Sequence, residues 1–320
     1  MNTIDISLQK RRTRMLARAL LWFTVLLVVV GSIGYYYYFL RLPSAGVGPA
    51  GPRVDQTLFS SIWDDRPTVF LGIGDSVTAG FGASPGKSYF DRLVANPSDE
   101  FIEMKDVCLK TVFPRLQVAN ASVSGSNSFD CLEKQLPELK PHPTDVRGLV
   151  VLTTGGNDLI HWYGRSAPKE GAMYGATLDQ AQPWIEAYAL RMNEIIAKIE
   201  TIFPGGCEIF LANIYDPSDG AGKPEAIGMP PWEEMVEILA AYNNVITSCA
   251  GGHDNVHLVD IHTPFLGHGV RAAHPWANHY HSADPHYWYN ENIEDPNDRG
   301  YDALRRIFLR SMADVFADRE

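Results

Sequence analysis

Cysteine is scarce in this chain: four in 320 residues, at Cys108, Cys131, Cys207 and Cys249. No two are spaced C-x-x-C, which argues against a zinc ribbon or a dithiol redox centre. Positive charge is also in short supply, with 27 Lys and Arg against 38 Asp and Glu and a net charge of −11. An acidic body offers no basic face to a phosphate backbone, so nucleic acid is not an expected partner. There is no internal repeat, which excludes a solenoid. Apolar residues, by contrast, are plentiful: at 45% hydrophobic the composition is globular rather than disordered.

The charge is unevenly placed. Lys10, Arg11, Arg12, Arg14, Arg18 and Arg41 against the single Asp5 give the first 41 residues a surplus of five positive charges, so the remainder of the −11 chain carries sixteen negative ones. Between these bases lies an uncharged stretch of 22 residues, Ala19 to Leu40. At about 1.5 Å per residue it covers about 33 Å as a helix, enough for a hydrocarbon core of about 30 Å. Basic residues cluster before the stretch, which predicts a cytoplasmic N-terminus. Tyr35 to Tyr38 would then form an aromatic girdle on the far side. No A-x-A site and no cysteine follow the run, so a cleaved signal peptide and a lipoprotein anchor are disfavoured. The expected organisation is a cytoplasmic basic segment (1–18), a transmembrane anchor (19–40), a linker (41–60) rich in Gly, Pro and Ala over Leu42–Arg53, and an extracytoplasmic domain (61–320).

Within that domain apolar runs alternate with helical patterns. Strands are expected at Thr68–Ile73, Leu116–Ala121, Gly148–Thr154, Glu208–Ile214 and Val256–Ile261. Helices are expected at Ser88–Asn96, Phe129–Leu139, Leu178–Phe203, Trp232–Ser248 and Arg299–Ala317. Such alternation predicts an α/β fold: a parallel sheet with helices on both faces, a flavodoxin-like three-layer sandwich. All four cysteines follow the anchor, where disulfides can form. The expected pairing is Cys108–Cys131 and Cys207–Cys249.

The first three strands each end in a polar, glycine-containing turn: Gly74-Asp75-Ser76, then Ser122-Val123-Ser124-Gly125-Ser126-Asn127, then Gly155-Gly156-Asn157-Asp158. Acyl transfer needs a nucleophile and donors aimed at the developing oxyanion. Ser76 is placed to attack, the Gly125 N–H can be closely approached, and the Asn157 amide supplies a further donor. Here the chain resembles the SGNH, or GDSL-type, hydrolases over about residues 68–310. Gly74 to Gly80 matches the first block of that family, Gly125 the second and Gly155 to Asp158 the third. The resemblance implies a serine esterase needing no metal or organic cofactor. Ser76 would be its nucleophile, and the Ser76 N–H, Gly125 N–H and Asn157 amide its oxyanion hole.

The fifth block departs from the pattern. Where the family usually shows D-x-x-H-P-N, this chain has Asn292-Ile293-Glu294-Asp295-Pro296-Asn297, so Asn292 stands for the Asp and Asp295 for the His. An ordinary carboxylate, with a pKa near 4, is a weak base at neutral pH. A histidine from elsewhere is therefore expected to serve as base, since eight of the ten lie between His253 and His286. His268, flanked by Gly267 and Gly269 beyond the fifth strand, is the first choice, with Asp295 as a catalytic carboxylate; His281 and His286, with Asp284, are the alternatives. Those last three, with His279, also admit a metal site. The expected substrate is a small-molecule, glycan or lipid ester, with Trp276, Tyr280, Tyr287, Trp288 and Tyr289 suited to stacking on sugars. An O-acyltransferase and a non-catalytic glycan-binding domain are the rival readings.

Overall fold

The computed structural model describes residues 3–37 and 42–317. The chain divides into two units, Met1–Leu42 and Pro43–Glu320. In the first, helix α1 runs without interruption over Thr3–Tyr35, so the basic segment and most of the apolar one share a single helix. Its portion Arg11–Tyr35 is long and apolar enough to cross a membrane. Of the expected girdle, Tyr38 lies outside the described residues.

The second unit follows the order β1 (Thr68–Gly74), α2 (Ser76–Ala79), α3 (Tyr89–Val94), α4 (Leu109–Val112), β2 (Leu116–Asn120), α5 (Ser128–Asp130), β3 (Arg147–Thr153), α6 (Gly156–Ile160), α7 (Leu178–Ile202), β4 (Cys207–Ala212), α8 (Met235–Gly251), β5 (Val256–Val259), α9 (His262–Phe265) and α10 (Asp298–Phe316). All strand pairs are parallel, in the order β2-β1-β3-β4-β5. This is the flavodoxin-like order, whose connections reverse direction between β1 and β3, and that reversal opens a crevice at the strands' carboxyl ends.

Strand side chains alternate between two cores, as the period of two requires. Phe70, Leu149, Val151 and Phe210 pack with α3 and α10. Val69, Leu71, Ile73, Val150, Leu152, Ile209 and Leu211 face α7 and α8, whose Ile195, Ile196, Ile199 and Ile246 are fully buried. Each such side chain contributes roughly 1.5–3 kcal/mol by leaving water. The helix expected over 129–139 is instead α5, a π-helical turn (Cys131–Gln135) and a 3₁₀ turn (Leu136–Glu138). Pro137 lacks an N–H for a regular ladder. The widened turn also sends the Gln135 side chain to Gly74, where it accepts from the N–H at 3.0 Å and donates to the carbonyl at 2.7 Å.

Two expectations are corrected. The linker of 41–60 is packed against the domain from Ser44 onward. The Ser44 carbonyl accepts from Tyr287 N–H, the Ala50 N–H donates to Asp302, and Arg299 donates to the Ala45 and Pro49 carbonyls. Ala50, Val54 and Phe59 are buried. The disulfides are absent, since all four cysteines are free and buried. Cys131 lies in the α7/α8 core, whereas the neighbours of Cys108, Val107 and Leu109, belong to the core across the sheet. Cys207 and Cys249 share the α7/α8 core without bonding.

Candidate active site

Ser76 owes its position to the turn that ends β1. Gly74 has φ +129°, and a Cβ there would stand 1.8 Å from the Thr153 carbonyl oxygen, so only glycine fits against β3. Asp75 then caps α2, its carboxylate accepting from Val77 N–H at 3.1 Å and from the Thr153 hydroxyl at 2.7 Å. Behind it, Thr153, Thr78 and Tyr89 continue the chain of hydroxyls at 2.8 and 2.6 Å. Ser76 is thus the first residue of a one-turn helix, where the backbone N–H has no intrahelical partner. Burial pushes the Asp75 carboxyl up to about 7 despite its hydrogen bonds.

Asn157, in the first turn of α6, is buried, and its amide donates to the Ser126 carbonyl at 2.9 Å, tying the turn after β3 to the turn after β2. Asp158 strengthens the same tie by accepting from the Ser128 N–H and hydroxyl at 2.8 and 2.5 Å. Gly125 sits on the exposed turn after β2 with φ +82°. Its carbonyl meets His161 Nε2 at 2.7 Å, which holds the peptide in orientation.

Ser76 and Asn157 line a cavity of about 190 Å³. Its lining is largely apolar, with Leu159, Ile160, Ile214, Met229, Trp232 and Leu239, and includes Asn292, Ile293 and Glu294. Tyr163, from the segment after α6, lines the same cavity as Glu294. Trp162 and Tyr163 have φ of +63° and +48°, and Ile293, a β-branched residue, has φ +68°. Strained left-handed backbone therefore borders the cavity from both sides.

Asp295 lies beside Ser76. It is buried, 3% exposed, and the Ser76 hydroxyl is close enough to favour the ionised carboxyl, yet Oδ1 has no aligned hydrogen-bond donor. Oδ2 accepts from the Asn292 amide at 2.7 Å, and the Asn292 side-chain oxygen accepts from Asp295 N–H at 3.2 Å. Burial raises the Asp295 carboxyl above its ordinary range, with these two side chains pulling against it. Burial likewise raises neighbouring Glu294.

The histidines expected as base are placed elsewhere, and the one near the cleft, His161, is engaged by the Gly125 carbonyl. His268 lines a second cavity, together with His281, Asp284 and Trp288, rather than the one holding Ser76. Its ring stacks on Trp288 at 3.5 Å and on His281 at 4.8 Å, and its Nδ1 bonds the His286 carbonyl at 3.0 Å. Burial pushes it down to about 4, so it is neutral at physiological pH. His281 bonds the Leu266 carbonyl, and His286 pairs with Asp284, which also accepts from Arg299 and Trp288. Among the described residues no three potential metal ligands converge. The choice of His268, His281 or His286 as base, with Asp284 behind it, is thus not supported by proximity to Ser76; Asp284 instead holds Arg299 at the start of α10, which donates to the Ala45 and Pro49 carbonyls. Gln135, His161, Tyr163 and Glu294 shape the site without having stood out in the sequence, because their partners are distant along the chain.

The profile of the GDSL-like Lipase/Acylhydrolase family matches residues 73–303. No curated protein sequence matches the chain. Among solved structures, an extracellular lipase from Streptomyces rimosus is 17% identical with a TM-score of 0.49, over 77% of this chain and 98% of that one. Axe2, an acetylxylan esterase from Geobacillus stearothermophilus, is 20% identical with a TM-score of 0.45, over 78% and 95%. A phospholipase A1 from Streptomyces albidoflavus is 18% identical with a TM-score of 0.45, over 76% and 97%. With its first, second and third blocks at the ends of β1, β2 and β3 and the profile covering most of its length, this chain belongs to the GDSL-like lipase/acylhydrolase family.

Proposed function

We propose that the protein is a serine esterase anchored in a membrane by α1, with its catalytic domain outside the cytoplasm, and that it hydrolyses esters carrying an apolar acyl chain. The observation that carries this reading is the cleft: Ser76 stands at the end of β1, Asn157 at the end of adjacent β3, and an apolar wall leads away from both. Ser76 Oγ attacks the ester carbonyl. The Ser76 N–H, the Gly125 N–H and the Asn157 amide receive the oxyanion, the alcohol departs, and water releases the acyl group. The aromatic loop favours this substrate over a glycan, because Tyr287, Trp288 and Tyr289 are buried and only Trp276 is broadly exposed.

The test uses the full chain in detergent with p-nitrophenyl esters of graded length. Each added CH₂ that enters an apolar pocket is worth about 0.8 kcal/mol, or roughly fourfold. kcat/KM is therefore expected to climb from acetate to hexanoate, and Ser76→Ala to lose both hydrolysis and fluorophosphonate labelling. A Ser76→Ala variant that still labels would sink the nucleophile, and a preference for acetate would sink the acyl pocket. Release of the native protein from membranes by a high-salt wash would refute the anchor.

A further inference from the structure

We infer that Asp295 is the proton-transfer partner of Ser76, so that the site works as a Ser–Asp dyad without histidine. The inference rests on the serine-esterase reading above. The first argument is position. Asp295 is the carboxyl beside the Ser76 hydroxyl, and its Oδ1 is buried with no other donor pointed at it. A buried, unpaired carboxylate oxygen costs free energy, and it is tolerated where the group has work to do. Misaligned hydrogen bonds in an empty site commonly tighten only when substrate is present.

The second argument is how Asp295 is held. The Tyr289–Pro296 bridge, the Asn290 N–H to Asp295 carbonyl bond at 2.7 Å, and the Tyr215 hydroxyl on the Glu294 carbonyl fix its backbone. Asn292 fixes Oδ2 and leaves Oδ1 free. A base of this kind wants a donor behind it, and Asn292 can donate where an aspartate could only accept. The two departures in the fifth block therefore form one coherent exchange: an acceptor behind a cationic acid–base group has become a donor behind an anionic one.

The third argument is electrostatic. The titratable side chains near enough to feel the Asp295 charge are Asp75 from the end of β1, its neighbour Glu294, Tyr163, Tyr215, and Tyr301 of α10; none is cationic, and no cation acts on Asp295 itself. No ion pair thus locks the carboxylate in its charged form, and its basicity exceeds that of an exposed aspartate. In the acylation step the Ser76 O–H bond breaks as Oγ bonds the carbonyl carbon, and the proton passes to Asp295 Oδ1. The neutral carboxylic acid then returns that proton to the departing alkoxide. Deacylation repeats the exchange with water in place of serine, and the carboxylate is regenerated.

The experiment measures p-nitrophenyl ester hydrolysis and fluorophosphonate labelling by the full chain from pH 4 to 9. Asp295→Asn keeps the shape and removes the acceptor, and is expected to lower kcat by about 10²–10⁴-fold. Asn292→Asp leaves Asp295 in place but sets a second carboxylate against it, and is expected to move the ascending limb of kcat/KM upward by about a pH unit or more. A structural role for Asp295 would leave that limb unmoved. Wild-type kcat within fivefold in Asp295→Asn, or an unshifted limb in Asn292→Asp, overturns the dyad while Ser76 labelling keeps the esterase reading intact. A wild type that neither hydrolyses nor labels overturns both.

Discussion

The cleft around Ser76 and the cluster around His268 both bury titratable side chains beyond strand ends, and they treat them in opposite ways. Around His268 the ring and the carboxylate are both engaged, although Arg299 Nε is buried without a partner: the ring is stacked on Trp288 and bonded to the His286 carbonyl, and Asp284 accepts from His286, Trp288 and Arg299. For Asp284, burial alone would raise the carboxyl, but the His286 hydrogen bond and the Arg299 cation bring it below its usual range. Around Ser76, Asp295 Oδ1 and Thr154 Oγ1 are buried without partners, and Asp75 rises to about 7. Satisfied groups hold a structure together, whereas buried unsatisfied ones, such as Asp295 Oδ1 beside Ser76 and Thr154 Oγ1 in the cavity wall, mark places where chemistry can be done. Richness in histidine is therefore a poor guide to the base proposed for this chain.

The largest effect that tests this contrast belongs to Asn157. Replacing it with Ala removes the proposed oxyanion donor, which should lower kcat about 10²–10³-fold, with KM changed far less. A loss confined to KM would show that Asn157 only binds the ground state, and the cleft would lose its claim to preorganised catalysis.

Much of this site could be read from local signals. The five strands announced themselves as short apolar runs closed by Gly, Asn and Asp, and the turn residues placed Ser76 and Asn157 at the ends of β1 and β3. The base could not be read that way. His268 and Asp295 both lie in the long segment between β5 and α10, and which of them faces Ser76 depends on how that segment folds over itself. The Tyr289–Pro296 bridge and the Trp288 stack set how that segment folds, and both are side-chain and pairing details that spacing does not encode. The broken helix at 128–138 escaped for a similar reason, since its π turn exists to bring Gln135 to Gly74, some 61 residues earlier. The linker misled through composition: Gly and Pro suggest a tether, yet here they let the backbone lie flat against α10, with a Gly51 Cβ only 2.7 Å from Ala303 Cα.

Next in size is a pH effect on stability. His268 binds its proton near pH 6.5 when unfolded and at about 4 when folded. Between those values the unfolded chain holds more protons, so this residue's contribution is complete above pH 6.5 and drains away as the pH falls toward 4. The slope for one proton is at most about 1.4 kcal/mol per pH unit. Asp75 runs the other way, because its folded pKa of about 7 exceeds the unfolded value of 3.8; it favours the folded state at low pH and loses that contribution as the pH rises to 7. His268→Phe keeps a ring on Trp288 but cannot be protonated. Urea titrations from pH 7 to 4.5 should show it losing less stability than wild type, by about 2 kcal/mol on the order of the integrated slope, with kcat near wild type. A hundredfold fall in kcat would instead place His268 in the catalytic path and erase the distinction between the two regions.

The smallest effect concerns strain at the rim. Ile293 is held at φ +68°, a conformation that costs an L-residue roughly 1–2 kcal/mol and that asparagine tolerates better. It stands two residues before Asp295, and its backbone is fixed by one hydrogen bond to the Asn290 carbonyl at 3.0 Å. Ile293→Asn should relieve about 1 kcal/mol and raise Tm by about 2–4 °C. The kinetic outcome tells what the strain is for. If kcat also falls severalfold, the forced turn is part of what presents Asp295 Oδ1 to Ser76, and stability has been given up at the cleft for geometry. If kcat holds while activity on long acyl esters alone declines, Ile293 serves as apolar lining and the Asn292–Asp295 hydrogen bonds suffice to aim the carboxylate. No gain in Tm would mean that packing around Ile293 already repays the left-handed turn, and that the cleft is no more strained than the histidine cluster behind it.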